Sequence, residues 1–470
     1  MNTTEALTRR FATGAPLVAL LALSATTVGV LSVKKPTMAA GLVVAVALLV
    51  VIAMRIEALP LVLAASIFVE EVSFGGLTLG RLAGAFALIA IVYYLLVHGR
   101  VAFRVSPLVV VSGVFGLWIL FSAYWAGDPA EVYSTFFSFL LVMAYMFAFA
   151  LLVKTPKDAV NVMTVMVVGA TISGLFAVDT YLGAGGTTRA SGLLGSAHAD
   201  TFGVYQAMIG PAALGLFALA RRAELRLVWL GCLTVITLSI VSSLTRTAML
   251  SIIGVAILAL LMPWRVLFRS AAQKATYAVA LAFMAGGVLT VAASAAFFQR
   301  VGSIFGGFGA GGDKAAGRTD LWAAAWNAYS HHPWFGIGAG NFQVQSYDLL
   351  SHTQGVDLTA AYVQQGRLVH NSYLEALAEL GPVGLALFVV VILITGWYLV
   401  GIFRRARAGG EETIRIVAAT MLLALISLAI SMFFLSIGLN KPLWIIVGLT
   451  LALERMLDRP RGEIATSAAG

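Results

Sequence analysis

Apolar runs long enough to cross a bilayer recur along almost the whole chain, and that recurrence constrains the fold more than any other feature. A helix needs about 20 apolar residues to span roughly 30 Å of hydrocarbon. Such runs fall near residues 15–33, 37–54, 58–77, 80–98, 107–126, 131–153, 158–182, 200–220, 227–244, 247–264, 275–298, 376–402, 413–438 and 441–457. Those at 58–77, 227–244 and 247–264 are the weakest, so about 12–14 transmembrane helices are expected. With 60% of its 470 residues hydrophobic and 11% charged, the chain departs far from soluble globular composition. The expected fold is an all-α polytopic membrane protein with a long external loop containing short helices. The N-terminal run is long and no clear small-x-small cleavage site follows it, so it reads as a retained first span rather than a signal peptide.

The net charge of +9 is distributed as a topology signal. With Arg9 and Arg10 placed in the cytoplasm and sides alternated, 20 of the 30 Lys and Arg fall inside, among them Arg100, Arg104, Lys154, Lys157, Arg221, Arg222, Arg265, Arg269, Arg404, Arg405, Arg407, Arg459 and Arg461. This is the positive-inside pattern, and it puts both termini in the cytoplasm. No nucleic-acid partner is expected. Lys34, Lys35, Arg81, Arg189, Arg246, Arg300, Lys314, Arg318, Arg367 and Lys441 remain outside, against the topological preference, and need another reason. Arg246 sits in Ser242-Ser243-Leu244-Thr245-Arg246-Thr247, a very tight hairpin between two spans, where an ionisable residue is a functional candidate by default. The single cysteine, Cys232, lies in an apolar run and reads as a small buried hydrophobe.

Between Gln299 and Glu375 the hydropathy collapses, and this stretch holds four of the six histidines. Loops longer than about 15 residues are uncommon and usually functional or disordered. This one is too rich in Trp, Tyr and Phe for disorder. The chain therefore divides into an N-terminal transmembrane region at 1–298, a catalytic loop at 299–375, and C-terminal transmembrane helices with a short cytoplasmic tail at 376–470. Within the loop, the glycine-dense stretch 302–317 is expected to be irregular. Arg318–Ser330 reads as a helix with Leu321, Ala325 and Ala328 on one stripe, capped by Gly317 or Thr319 and ended by His332-Pro333. Gly336, Gly338 and Gly340 form a turn, and a second helix starts at Asn371 with His370 at its head.

Three ordered strings carry a resemblance: Gly317-Arg318 with Leu321-Trp322; Pro333-Trp334-Phe335-Gly336-Ile337-Gly338 with Asn341-Phe342; and His370-Asn371-Ser372-Tyr373-Leu374 with Glu379-Leu380-Gly381. Together with Arg189-Ala190-Ser191-Gly192 and Ser243-Leu244-Thr245-Arg246, they resemble the bacterial O-antigen ligase/polymerase superfamily over roughly residues 185–390. The resemblance implies glycosyl transfer on the periplasmic face of the inner membrane. The donor would be a glycan on undecaprenyl pyrophosphate. The acceptor would be lipid A–core for a ligase, or another lipid-linked repeat for a polymerase; a protein O-oligosaccharyltransferase sharing the donor site is a further alternative. Membrane lipids are the remaining partners, and no cofactor is implied.

The residue types suit that chemistry. A diphosphate near a membrane surface must be paired, and arginine binds phosphate oxygens bidentately while staying protonated. Arg189, Arg246 and Arg318 come from separate outer segments and are the expected pyrophosphate ligands, with Arg318 also counted as catalytic through charge stabilisation. His370 is the candidate base, since histidine titrates near neutrality; binding phosphate as a cation, or bonding backbone at a helix start, are its other readings. Asn371, Tyr373 and Trp322 are candidate sugar or acceptor contacts. The tryptophans, Trp326 and Trp334 included, also fit an interfacial aromatic belt. Glu70 and Glu71 are placed to pair with Arg81, and His98 and His198 have no assigned role. No metal is expected, because Asp313, Asp320, Asp348 and Asp357 are scattered and the arginines supply positive charge. Nothing resembles a glycine loop after a strand, which excludes a soluble nucleotide-sugar enzyme. A transporter or lipid flippase is the rival of another class; it predicts repeated halves and charges along a path, neither of which the sequence displays.

Overall fold

The computed structural model describes residues 55–74, 77–98, 106–193, 198–291, 317–359, 363 and 366–458. The expected spans at 15–33 and 37–54, together with Lys34, Lys35, Arg300 and Lys314, lie outside the described residues. The fold is all-α and polytopic. Eight described helices are long and apolar enough to cross a membrane.

In chain order the helices are α1 (Leu59–Ser66), α2 (Leu79–His98), α3 (Pro107–Phe121), α4 (Pro129–Leu152), α5 (Pro156–Gly183), α6 (Ala199–Leu219), α7 (Ala223–Ser242) and α8 (Arg246–Leu261). After them come α9 (Trp264–Leu267), α10 (Ala271–Val291), α11 (Arg318–His331), α12 (Asn341–Ser351), α13 (Ser372–Gly409), α14 (Glu412–Met432) and α15 (Lys441–Asp458). The starts of α3, α4 and α5 share one device. Ser106, Asp128 and Thr155 each accept a backbone N–H from the first turn, and each is followed by a proline whose missing N–H is not needed there. Thr155 and Asp158 complete a reciprocal capping box.

The core forms around α6, which is 94% buried and packs against α5, α7, α8 and α14. At about 1.5 Å per residue this helix spans the hydrocarbon, so its two ends mark opposite faces of the protein. The 58–77 run does not make a span. It gives the eight-residue α1 and then a two-residue hairpin, β1 (Ser73–Phe74) paired antiparallel with β2 (Leu77–Thr78). Glu70 and Glu71 interrupt it, and they belong to a polar cluster described below. Of the other two weak runs, α7 is long enough to span and α8 is shorter, at 16 residues.

The described part of the external loop folds into a cap with its own small core, in which Leu321, Ala325, Phe342, Leu350, Val369 and Ala378 are buried together. Helix α11 ends where His332-Pro333 requires, and α12 is an addition to the expected elements. The cap is pinned to α13. Ile337 and Gly338 donate their N–H groups to the carbonyls of Ala378 and Glu379, at 3.0 and 2.8 Å. The Glu379 carboxylate accepts Gly340 N–H at 2.8 Å and Phe342 N–H at 3.0 Å, satisfying donors at the start of α12. The second anchor is the end of α3. Asn341 exchanges hydrogen bonds with the backbone of Asp128, Ala339 donates to Ser122 Oγ, and Trp118 and Trp125 donate their indole N–H groups to the carbonyls of Leu380 and Phe335. The Pro333–Asn341 string is therefore a docking element.

Gly336 and Gly381 make this approach possible. Both have positive φ, and α13 breaks at Gly381, where φ is 68° and ψ is −172°. A Cβ on Gly336 would stand 2.4 Å from the carbonyl carbon of Glu379, and one on Gly381 would stand 2.3 Å from the carbonyl oxygen of Trp334. Backbone meeting backbone cannot relax by a rotamer change. Gly336→Ala is expected to loosen the cap, lowering the unfolding temperature and exposing residues 318–370 to limited proteolysis while the membrane spans stay intact.

Candidate active site

Several elements end together on one face. Arg189 lies between α5 and α6, Asp200 opens α6, and Ser243-Leu244-Thr245 joins α7 to α8. Arg189 donates through Nη2 to Asp200 Oδ1 at 2.5 Å and to Thr245 Oγ1 at 3.2 Å, and through Nε to the Ser243 carbonyl at 3.2 Å. The Thr245 hydroxyl reaches the Ala199 carbonyl at 3.0 Å, and Ala190 N–H donates to the Ser242 carbonyl. Three segments distant in sequence are thus locked around one guanidinium. Leu244 takes a left-handed φ of 49°, a strained state for a branched side chain, and this lets the hairpin close in so few residues. Arg246 follows directly as the first residue of α8 and is half-buried.

The cap brings Arg318 and His370 to the same place. Arg318 opens α11 behind Gly317, which has a φ of 78°. His370 has a φ of 57° and precedes Asn371, whose side chain caps α13 by accepting from Tyr373 and Leu374 N–H. The His370 backbone N–H donates to Ser436 Oγ at 3.0 Å, and Ser436 in turn hydrogen-bonds Glu375. The backbone of His370 is therefore held from both sides. Its imidazole Nδ1 is buried with no hydrogen-bond partner among the described residues.

Arg318, Arg367, Asp200 and His198 all lie close enough to act on that imidazole electrostatically. Burial pushes the His370 pKa down from 6.5 to about 4, Arg318 adds to this, Asp200 opposes it, and Arg367 and His198 push the same way as Arg318. The sequence alone suggests titration near neutrality. In the folded protein the ring is neutral at pH 7, a proton acceptor rather than a cation. Asp200 is the common element, bonded to Arg189 and facing both Arg318 and His370.

The remaining candidates are engaged in capping and packing or are exposed. Asn371 is 5% exposed, and its side-chain oxygen is committed to the cap of α13. Tyr373 donates its hydroxyl to the Ala429 carbonyl at 3.0 Å. The Trp322 ring packs edge-on against Phe433 at 5.8 Å, with its indole nitrogen buried and unpartnered among the described residues. Trp326 and Trp334 are exposed.

A second polar cluster adjoins the first. Glu70 binds Lys441, accepts the Tyr205 hydroxyl at 2.8 Å, and does not pair with Arg81 as expected. The intervening turn and hairpin carry Glu70 toward the N-terminus of α15, where Lys441 lies beside the Tyr145 ring. Glu71 accepts the backbone N–H of His198, and burial raises it above the usual carboxylate range while His198 opposes the rise. His198 thus links Glu71 to His370. Asp200, His198 and Glu71 are the residues that sequence reasoning missed. Asp200 carried a usable signal, as an acidic residue at the outer end of a span close to Arg189.

The fold and this site describe a multi-pass membrane protein that gathers several arginines and a buried histidine on one face. Residues 230–389 match the family model described as O-antigen ligase. Over that segment the chain is similar to the O-antigen ligase family, which supports glycosyl transfer of the ligase or polymerase type in broad terms. The matched segment contains Arg246, Arg318, Arg367 and His370, and leaves Arg189 and Asp200 outside it. No curated protein matches the chain.

The depressed pKa of His370 ties stability to pH. As pH falls, the unfolded chain takes up the histidine proton near 6.5, before the folded chain does near 4. The contribution is complete above pH 6.5 and is lost as pH falls toward about 4. The unfolding temperature of the wild type is expected to drop across that window more steeply than that of His370→Gln, as followed by fluorescence-detected thermal unfolding.

Proposed function

We propose that the protein transfers O-antigen glycan en bloc from undecaprenyl pyrophosphate to lipid A–core, on the periplasmic face of the inner membrane, without a metal ion. The single observation that carries this reading is a neutral, buried His370 beside Arg318 and Arg367, joined through Asp200 to Arg189. The guanidiniums bind the donor diphosphate, with Arg246 as a further ligand from the hairpin. The acceptor hydroxyl oxygen attacks the anomeric carbon, the bond from that carbon to diphosphate oxygen breaks, and the hydroxyl proton passes to the His370 imidazole. Undecaprenyl pyrophosphate leaves with its charge held by the arginines, so no strong acid is needed at the leaving group. Asp200 is engaged by Arg189 and serves to orient it, so a single displacement with inversion is the expected course. Asn371, Tyr373 and Trp322 border the path of the acceptor sugar.

Donor binding also prepares the base. An anion placed among Arg318 and Arg367 cancels the positive field that depresses His370, and so raises its basicity when the acceptor arrives. Both termini lie in the cytoplasm on this reading, in keeping with the basic loops on the opposite face.

The test uses purified protein in EDTA with undecaprenyl-pyrophosphate-linked glycan, and lipid A–core as acceptor. The wild type is expected to form lipopolysaccharide, and His370→Ala to lose about 10²–10⁴-fold in rate. The ratio kcat/KM, which reports the free enzyme, should hold as pH falls through 6.5 and fade only as it approaches about 4, whereas a phosphate-binding imidazolium would gain activity below 6.5. Longer lipid-linked chains with no transfer to lipid A–core would make the protein a polymerase, and abolition by EDTA would overturn metal independence.

A further inference from the structure

We propose that the face opposite the active site carries a binding site for a phosphate-bearing anion, supplied by the headgroup of an anionic phospholipid. A cavity of about 300 Å³ opens between the short helix α9, the end of α13 and the start of α14, and Arg265, Arg269, Arg407 and Arg415 all line it. One carboxylate, Glu412, accompanies them in the lining.

The cavity has a fixed floor and an open rim. Arg415 donates through Nη1 to the carbonyls of Arg265 and Val266, both at 2.6 Å, so its guanidinium is held in place by the turn it faces. Arg269 is held by Glu412 at 3.1 Å, and Arg415 stands 4.0 Å from the same carboxylate. Arg265 and Arg407 are exposed at the rim, and neither forms an ion pair among the described residues; Arg265 lies over the Trp264 ring at 5.2 Å. Glu412 therefore serves the two floor arginines and leaves the rim uncompensated.

The positive-inside rule explains why this face is basic. It does not explain why four guanidiniums converge on one concavity, because topology is satisfied by charges splayed into water. Bringing like charges together at the edge of hydrocarbon costs free energy unless an anion joins them. Phosphate oxygens are the ligand that guanidinium forks fit best. The setting favours a lipid over a soluble ion. Trp264 is an interface-type side chain, Phe268 and Ala406 give the cavity an apolar wall, and basic pockets between span ends on the inner face are suited to anionic headgroups. The volume sits at the lower end of small-molecule sites, which range upward from about 300 Å³.

The test follows thermal unfolding of the purified full-length protein in detergent. It is titrated with dioleoylphosphatidylglycerol, with dioleoylphosphatidylcholine, and separately with inorganic phosphate. Phosphatidylglycerol is expected to raise the unfolding temperature and phosphatidylcholine to leave it unchanged. In Arg265→Gln/Arg407→Gln the apparent affinity for phosphatidylglycerol should fall about tenfold or more. The two single variants, each expected to lose an intermediate amount, guard against misfolding of the double variant. Stabilisation by phosphatidylglycerol with none by phosphate supports the lipid source. Equal, arginine-dependent stabilisation by phosphate supports the anion site and overturns the lipid assignment. Stabilisation by phosphatidylcholine, or a phosphatidylglycerol effect unchanged in the double variant, overturns the site.

Discussion

The Glu379 side chain and backbone carry the constraint on which the capped face depends. A long polar segment lying over membrane spans has backbone donors and acceptors that must be satisfied, and a small core that is marginal by itself. Glu379 meets both requirements at once. Its carboxylate takes the first donors of α12 and its carbonyl takes Gly338, while Ala378 beside it is buried in the cap core. The break at Gly381 then turns α13 away into the hydrocarbon. Arg318 and His370 stand at opposite ends of the cap sequence, and they converge on Asp200 because the cap is pinned between them.

The site is consequently composite. Arg189, Asp200 and Thr245 belong to the membrane scaffold and are fixed by their mutual hydrogen bonds. Arg318, Arg367 and His370 arrive with the cap. Electrostatics sums the two contributions at one ring. His370 is neutral because the arginines crowd it and because burial removes the water that would stabilise its charged form.

What the sequence reveals follows the range of the forces involved. Helix α11, the turn at Gly336–Gly340 and the capping role of Asn371 are written in local signals: a proline stop, positive-φ glycines, a side chain bonding the N–H groups two and three residues ahead. Helix α12 escapes because its sequence, Asn341–Ser351, is polar with no clear apolar stripe, and its N-terminal donors are satisfied by Glu379 from another element. The 58–77 run reads as a span by hydropathy, yet Glu70 finds Lys441 across nearly the whole chain. His198 is likewise an unremarkable residue until the fold sets it between Glu71 and His370. Pairings between distant segments, such as Glu70 with Lys441, leave no mark in a single sequence, whereas Asp200 lies close to Arg189 in the chain and carried a signal.

The same separation of ranges explains how one chain can carry anion-binding arginines on both faces with different consequences. On the site face, Arg189 is held by Asp200, Thr245 and Ser243. On the opposite face, basic residues are mostly spread over the loops and helix ends. Where α9 folds back against the α13–α14 turn they meet in a concavity, with Arg415 clamped by carbonyls and Arg269 by Glu412. Convergence, rather than charge count, separates a binding arrangement from a topology signal. By that criterion the arginines around His370 and those around Trp264 qualify, while Arg221 and Arg222 at the α6–α7 turn, which are exposed, do not.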